Sequence, residues 1–278
     1  VNTWIDVRNY IKTDSNYRGA LVNWEQTAKN ILTLEKNKLL ITQGFLGSND
    51  KNETTTLGRE GSDFTAAIFG YCLSAKSVTI WKDVNGVLNA DPRHFTKVEL
   101  LPNISYNEAI EMAFYGASVI HSKTLKPLEN KKIPLKVRSF NNLNNEGTLV
   151  SFLPKSPINI PCYVFKQNQI LVSISTLDFS FMVENNLSTI FKILHQFKLK
   201  VNLIQNSAIS FSVCIEDKYD NFTQFLTELT PFYKIDCYKN VSLYTIRHAT
   251  KNSVIEIETK GNVLLKQQTK ETVQIVLN

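Results

Sequence analysis

Apolar positions recur at helical spacing over residues 22–35, where Val22, Ala28, Ile31 and Leu32 share a face, and Lys38–Thr42 then reads as a short buried strand. A polar loop over Ser48–Thr56 leads to a second helical stretch, Asp63–Ala75, and a β-branched strand, Ser77–Trp81. Helices at Ser105–Ala117 and around Lys123–Asn130, then a strand at Pro134–Ser139, continue the alternation. Helices alternating with short apolar strands predict α/β architecture, a parallel sheet covered on both faces (α/β/α).

The pattern changes after the turn-rich Asn141–Gly147 and the proline-rich Pro154–Pro161, which predicts a boundary between residues 1–153 and 162–278. Beyond it, strand-like Gln169–Ser175, helical Asn186–Phe197, strand-like Lys200–Ile204 and Ile209–Ile215, helical Asn221–Pro231 and strands near Ile235–Tyr238 and Val241–Ile246 follow in βαββαβ order, the ferredoxin-like arrangement. A shorter round reuses Val241–Ile246 and adds Asn252–Lys260, Val263–Gln267 and Thr272–Val276, so tandem modules are expected.

The 278 residues are about twice the ~150 of a common single domain, which agrees with that division. No apolar run approaches the ~20 residues of a membrane span and the first eight residues form no signal peptide, so a cytoplasmic protein without membrane contact is expected. The formal charge of +6 is scattered, with no basic stripe interleaved with aromatics, which favours anionic small ligands and argues against nucleic acid. Cys72, Cys162, Cys214 and Cys237 form no C-x-x-C pair and are expected as buried free thiols. His94, His121, His195 and His248 lack ligand spacing, so no protein metal site is expected; His121 is expected to bond the last carbonyls of the helix before it. Lys123, Lys126, Lys131 and Lys132 read as a solvated helix face.

Chemistry concentrates in two segments. In Thr54–Asp63 the glycines allow close backbone approach, Ser62 and Asp63 can cap the following helix, and free N–H groups there would attract an anion. Arg59 could clamp a carboxylate or phosphate in a bidentate manner; an ordinary cap is the competing reading. Trp81–Arg93 follows the carboxyl end of a strand, where open α/β sheets bind ligands. Its turn signals, Asn85-Gly86 and Asp91-Pro92, predict a hairpin that could cover a nucleotide with Asp83 and Arg93 facing it.

Ile41–Gly47, Thr54–Asp63, Lys82–Gly86 with Asp91–Arg93, Ile104–Ala109 and Phe114–His121 together resemble the aspartate kinases of the amino-acid kinase family, in order, over about Asp6–Val150. The second half, including Val201–Ile204, is similar to that family's tandem ACT regulatory modules. The resemblance implies transfer of the γ-phosphoryl group of ATP, carried with Mg2+, to the side-chain carboxylate of L-aspartate, giving 4-phospho-L-aspartate at the start of lysine, threonine and methionine synthesis. It puts Arg59, Glu60, Gly61 and Ser62 on the substrate loop and Asp63 on an acidic position that orients a catalytic lysine. Lys82, Asp83, Leu88, Arg93, Ser118 and Val119 fall on nucleotide positions. Asp178, Phe179, Ser180, Asn206 and Ser207 fall at the loops where ACT modules take an amino-acid effector, lysine ahead of threonine, in a homodimer or larger assembly.

Departures accompany the match. The family's Lys-Phe-Gly-Gly-Thr-Ser block has no counterpart, Lys82 replaces the usual Thr, Leu88 the usual Tyr, and Ser118 stands where a Lys is common. The 278 residues are therefore expected to belong to a longer kinase and to be inactive alone. A non-catalytic regulatory subunit or amino-acid sensor is the alternative, disfavoured because Arg59–Asp63 and Asp83 are intact.

Overall fold

The computed structural model describes residues 2–35, 37–117, 119–153, 158–178 and 180–278. Two of the expected site residues, Ser118 and Phe179, lie outside the described residues. The chain divides into two compact units, residues 1–89 with 98–158, and residues 90–97 with 159–278.

In the first unit the order is β1 (Asn2–Ile5), α1 (Trp24–Leu32), β2 (Leu39–Thr42), β3 (Leu46–Ser48), β4 (Thr54–Thr56), α2 (Gly61–Cys72), β5 (Val78–Lys82), β6 (Asn103–Ser105), α3 (Tyr106–Tyr115), α4 (Ser122–Asn130), β7 (Leu135–Ser139) and β8 (Thr148–Ser151). Strands β1 and β2 pair in parallel, and a second sheet has the order β5-β7-β8-β6. There β5–β7 and β6–β8 are parallel and β7–β8 antiparallel, so this sheet is mixed. The antiparallel pair arises because residues 140–147 are too few for a crossover helix and turn the chain straight back. The Asn-rich stretch is thus a turn inside the first unit. The expected loop at 48–56 is largely a hairpin, with Leu46–Ser48 paired to Thr54–Thr56.

Helix α2 is the unit's centre. Phe64, Thr65, Ala67, Ile68, Gly70 and Cys72 are all buried on it, as a helix packed on several sides requires. Helix α4 opens on His121, whose Nδ1 accepts from Lys123 N at 3.2 Å, so His121 caps the following helix. Lys131 is exposed, as expected, and its Nζ donates to Tyr71 O and Ser74 Oγ, closing the end of α2.

The second unit holds one antiparallel sheet of order β10-β11-β9-β12-β14-β13. Its elements are β9 (Cys162–Thr176), α5 (Glu184–Gln196), β10 (Lys200–Asn206), β11 (Ser210–Glu216), α6 (Phe222–Leu229), β12 (Tyr233–Arg247), α7 (Lys251–Glu258), β13 (Val263–Gln268) and β14 (Thr272–Leu277). Strands β9 and β12 pair along their length, from Tyr233 opposite Thr176 to Arg247 opposite Cys162. One module, β9-α5-β10-β11-α6-β12, uses one half of this pair; β12-α7-β13-β14 uses the other and takes the first half of β9 as its fourth strand. Period-two alternation gives the shared sheet two apolar faces, with Val172, Ile174, Val213 and Phe225 in one core and Leu171, Leu203, Cys214 and Val276 in the other. Cys72, Cys162 and Cys214 are buried, but Cys237 is exposed on β12.

Lys166 of β9 is the charged exception near the second face. Its Nζ donates to Asn202 Oδ1 at 2.7 Å, and Asn202 Nδ2 donates to Gln169 Oε1 at 2.7 Å. Burial first, and the neighbouring Lys200 charge second, push the Lys166 pKa down to about 8, against a contrary pull from Glu216. The folded state therefore gives up this proton before the unfolded chain does, and stability must rise with pH between about 8 and the ordinary value of 10.5. Urea titrations of the wild type and Lys166→Met at pH 7.5 and 9.5 check this: the wild type gains on the variant at the higher pH. A constant difference would rule it out.

Candidate active site

The site is built where the turn after β2 and the end of β5 meet the start of α2. After β2 the chain passes Gln43-Gly44 to Phe45, whose backbone is left-handed at φ 75°. Phe45 N donates to Thr65 Oγ1 at 2.8 Å, and Leu57 N donates to Phe45 O at 2.9 Å, which seats this turn on α2. Gly61 makes the seating possible: a Cβ there would lie 2.8 Å from Phe45 Cδ2 and 3.1 Å from Phe45 Cα.

Helix α2 begins without a side-chain cap. Its N-cap is Glu60, left-handed at φ 54°, and no side chain accepts from the first turn. Ser62 and Asp63, expected as caps, lie inside that turn. The first-turn N–H groups of a twelve-residue helix thus keep an end suited to an anion. Arg59 and Ser62 are exposed beside it.

Asp63 does not face the helix end alone. Its Oδ2 lies 2.9 Å from Lys82 Nζ, with the side chains 16% and 20% exposed. Lys82 is the last residue of β5, so the carboxyl edge of a parallel-paired strand brings a cation to the first turn of α2. The lysine approaches at ion-pair distance without hydrogen-bond alignment, and Asp63 Oδ2 has no aligned donor; Glu60 Oε2 is likewise buried without a hydrogen-bond partner. Lys82, expected at the nucleotide, is thus the cation beside Asp63; the lysine of the Lys-Phe-Gly-Gly-Thr-Ser block, which Asp63 is expected to orient, has no counterpart in these residues. Asp83 follows, exposed at the same strand end.

The other positions expected at the nucleotide have the following surroundings. Arg93 belongs to the second unit and forks onto Asp91, with Nε 3.0 Å from Oδ1 and an Nη 2.6 Å from Oδ2, while its own side chain is 77% exposed. That guanidinium holds the Asp91 carboxyl below its ordinary range. Leu88 is half-buried and bridges to Leu100. Val119 lines a small apolar void with Val87, Ile104 and Met112. Unanticipated is a cavity of about 430 Å³ behind α2, bounded by Leu21, Trp24, Phe64, Tyr71, Lys123 and Lys126. The seven-residue spacing of Phe64 and Tyr71 on one helix face was its only sequence signal.

In the second unit, Asp178 Oδ1 accepts from Ser180 N at 3.1 Å, and hydrogen bonds from Ser180 keep its carboxyl ionised to lower pH than usual. Asn206 and Ser207 sit exposed at the β10–β11 turn. Met182 N donates to Ala208 O at 2.8 Å, so the Asp178–Ser180 loop and this turn are neighbours. A cleft of about 660 Å³ borders them, walled by Ser175, Thr176, Leu177, Ile209, Ser210 and Tyr233.

Among the described residues, no group of three His, Cys, Asp or Glu side chains could hold a metal, and no helix is long and apolar enough to cross a membrane.

Residues 5–139 match the model of the amino acid kinase family. The lysine-sensitive aspartokinase 3 of Escherichia coli is 32% identical over 256 residues, covering 87% of this chain and 56% of that protein. The bifunctional aspartokinase/homoserine dehydrogenase of Buchnera aphidicola is 36% identical over 146 residues, covering 52% and 18%. The chain thus spans about half the length of the E. coli relative. The structure of E. coli aspartokinase III in complex with lysine and aspartate (T-state) matches with a TM-score of 0.80 at 28% identity, over 100% of this chain and 66% of that one. The same enzyme with aspartate and ADP (R-state) also gives 0.80 at 28%, over 99% and 66%. From the family match, these relatives and the shared fold, residues 5–139 carry the pattern of the amino acid kinase family, and the chain is similar to aspartokinases.

Proposed function

We propose that the protein carrying this chain is an aspartate kinase, moving the γ-phosphoryl group of ATP to the side-chain carboxylate of L-aspartate to give 4-phospho-L-aspartate. The observation that carries the reading is the Asp63–Lys82 pair at the uncapped start of α2, at the carboxyl edge of β5. Transfer between two anions needs positioning and positive charge far more than covalent help from the protein. The α2 end and Lys82 supply positive potential, Asp63 holds Lys82 in place, and Arg59 can grip the carboxylates of aspartate. Mg2+ would enter on the nucleotide, with Asp83 at the strand end available to it. The relatives' names and complexes, with aspartate and ADP in one case, support this substrate pair.

In this reading residues 1–153 serve the transfer and residues 162–278 form paired ACT modules that sense an amino acid. The Asp178 loop, the Asn206 turn and their cleft suit a zwitterion, with lysine ahead of threonine because the E. coli relative is lysine-sensitive. Sheet-edge strands β10 and β13 are open to pairing with a second copy, which favours a homodimer. The cytoplasm, which supplies ATP and free amino acids, is the matching location.

The test uses the complete gene product with ATP, Mg2+ and aspartate, trapping the acyl phosphate with hydroxylamine, with and without lysine. Aspartate-dependent hydroxamate supports the reading and its absence refutes it. Arg59→Ala should raise KM for aspartate at least ~10-fold with kcat within a few-fold, the signature of a contact made equally in ground and transition states. An unchanged KM would remove Arg59 from the substrate loop.

A further inference from the structure

The segment after β5 leaves the first unit and returns to it as an arm. At the base, in the first unit, Asn89 N donates to Glu99 O and Leu101 N to Val87 O, both at 2.9 Å, with Leu88 bridging antiparallel to Leu100. Buried Thr148 of β8 bolts this base down: Val87 N donates to its Oγ1 at 2.8 Å, and that Oγ1 donates to Leu101 O at 2.7 Å. The tip, residues 90–97, belongs to the second unit. Phe95, 8% exposed, packs on Tyr163 with ring centroids 5.0 Å apart, and His94 meets the Phe165 ring edge-on at 4.8 Å. Lys260 Nζ lies 4.7 Å above Phe95 and 5.6 Å above Tyr244, which itself stacks on Phe165. Tyr163 and Phe165 lie on β9 and Tyr244 on β12, the two strands shared by both modules.

We infer that His94, Phe95 and Lys260 are positioning residues that tie the Asp91–Arg93 tip to the β9–β12 pair, so that an amino acid bound to the second unit acts on nucleotide affinity through this arm. The inference rests on the proposed kinase reading for its substrates, but its anchor does not. Both attachments are rigid: a hydrogen-bonded ladder at the base and a ring cluster at the tip. A shift of the β9–β12 pair therefore must move residues 90–97, whose covalent joints at 89/90 and 97/98 are two of the three places where the chain passes between the units, the third being 158/159. The upstream joint lies seven residues beyond Lys82, on the strand end that pairs with Asp63. Coupling of this kind is reciprocal, so ATP must change lysine affinity by the same factor as lysine changes that of ATP.

The test compares the complete wild-type protein with Phe95→Ala and, in case that core truncation impairs folding, with His94→Ala and Lys260→Met. Lysine binding by calorimetry should stay within twofold, kcat within twofold, and the lysine-induced change in ATP KM should fall at least fivefold. A merely structural residue would lower thermal stability and kcat together and leave the ratio of KM values intact. Retention of the full lysine effect on ATP KM in all three variants overturns the inference. Hydrogen exchange provides a readout independent of activity: amides of 90–97 should exchange at least tenfold faster in the variants, and Asn89 and Leu101 should follow, while Val172 and Val213 do not. Unchanged exchange at the tip overturns the inference even if the protein proves not to be a kinase, whereas loss of aspartate-dependent activity in the wild type refutes the kinase reading alone.

Discussion

Asp63→Asn in the complete protein should lower kcat by about 10²- to 10³-fold, the scale of removing one preorganised charge from a reacting centre, while KM for aspartate changes less than ~threefold. Asparagine keeps the shape and removes only the charge that holds Lys82 Nζ at 2.9 Å. The freed ammonium would then turn toward solvent or toward other anions, and the positive potential offered to the migrating phosphoryl group would lose its fixed direction. Folding should suffer little. The pair is partly solvated, at 16% and 20% exposure, and such pairs contribute about 1 kcal/mol at most, or roughly 2–4 °C in Tm for a chain of this size. Steady-state hydroxamate kinetics with a parallel thermal melt separate the two effects. A kcat within threefold of wild type would take Asp63 out of the reacting centre.

Gly86→Ala should destabilise the protein by about 3 kcal/mol or more, combining a backbone penalty of ~1 kcal/mol with the cost of overpacking. Gly86 has φ 137°, a region L residues rarely enter. A Cβ there would lie 2.6 Å from Thr148 Oγ1, 2.8 Å from Leu100 Cδ1 and 3.1 Å from Thr148 N. Thr148 Oγ1 is the atom that joins Val87 N to Leu101 O, so displacing it unmakes two buried hydrogen bonds at the arm's base. Urea denaturation measures the loss, and a change below 1 kcal/mol would show that the arm yields freely at this point.

Much of the fold was legible locally. Helices α1 to α6 each have a counterpart in the local reading of the sequence, which depends only on the chain's own periodicity and end signals. Strand partners were less visible. Tyr238 and Val241 were read as belonging to two strands, yet β12 continues through Asn240, at φ 58°, as a register shift against β9. A bulge exists only relative to a partner strand, so no local pattern announces it. The Asn85-Gly86 turn signal was real, but the ladder it leads into closes between 87–89 and 99–101, after a tip whose anchoring rings lie about 70 or more residues further on.

The candidate site divides in the same way. Sequence alone determined its chemical inventory, because glycines, an acidic residue at a helix start and a lysine at a strand end are properties of single positions and near neighbours. It also determined the order of elements that separates a parallel-paired unit from a ferredoxin-like one. Only tertiary structure decided that Asp63 meets Lys82, nineteen residues away, and that residues 90–97 belong to the second unit. Those outcomes depend on how α2 packs beside β5 and how rings from β9 and β12 gather around Phe95. Such contacts arise from burial between segments distant in the chain, and the periodicity of any one segment does not encode its partner.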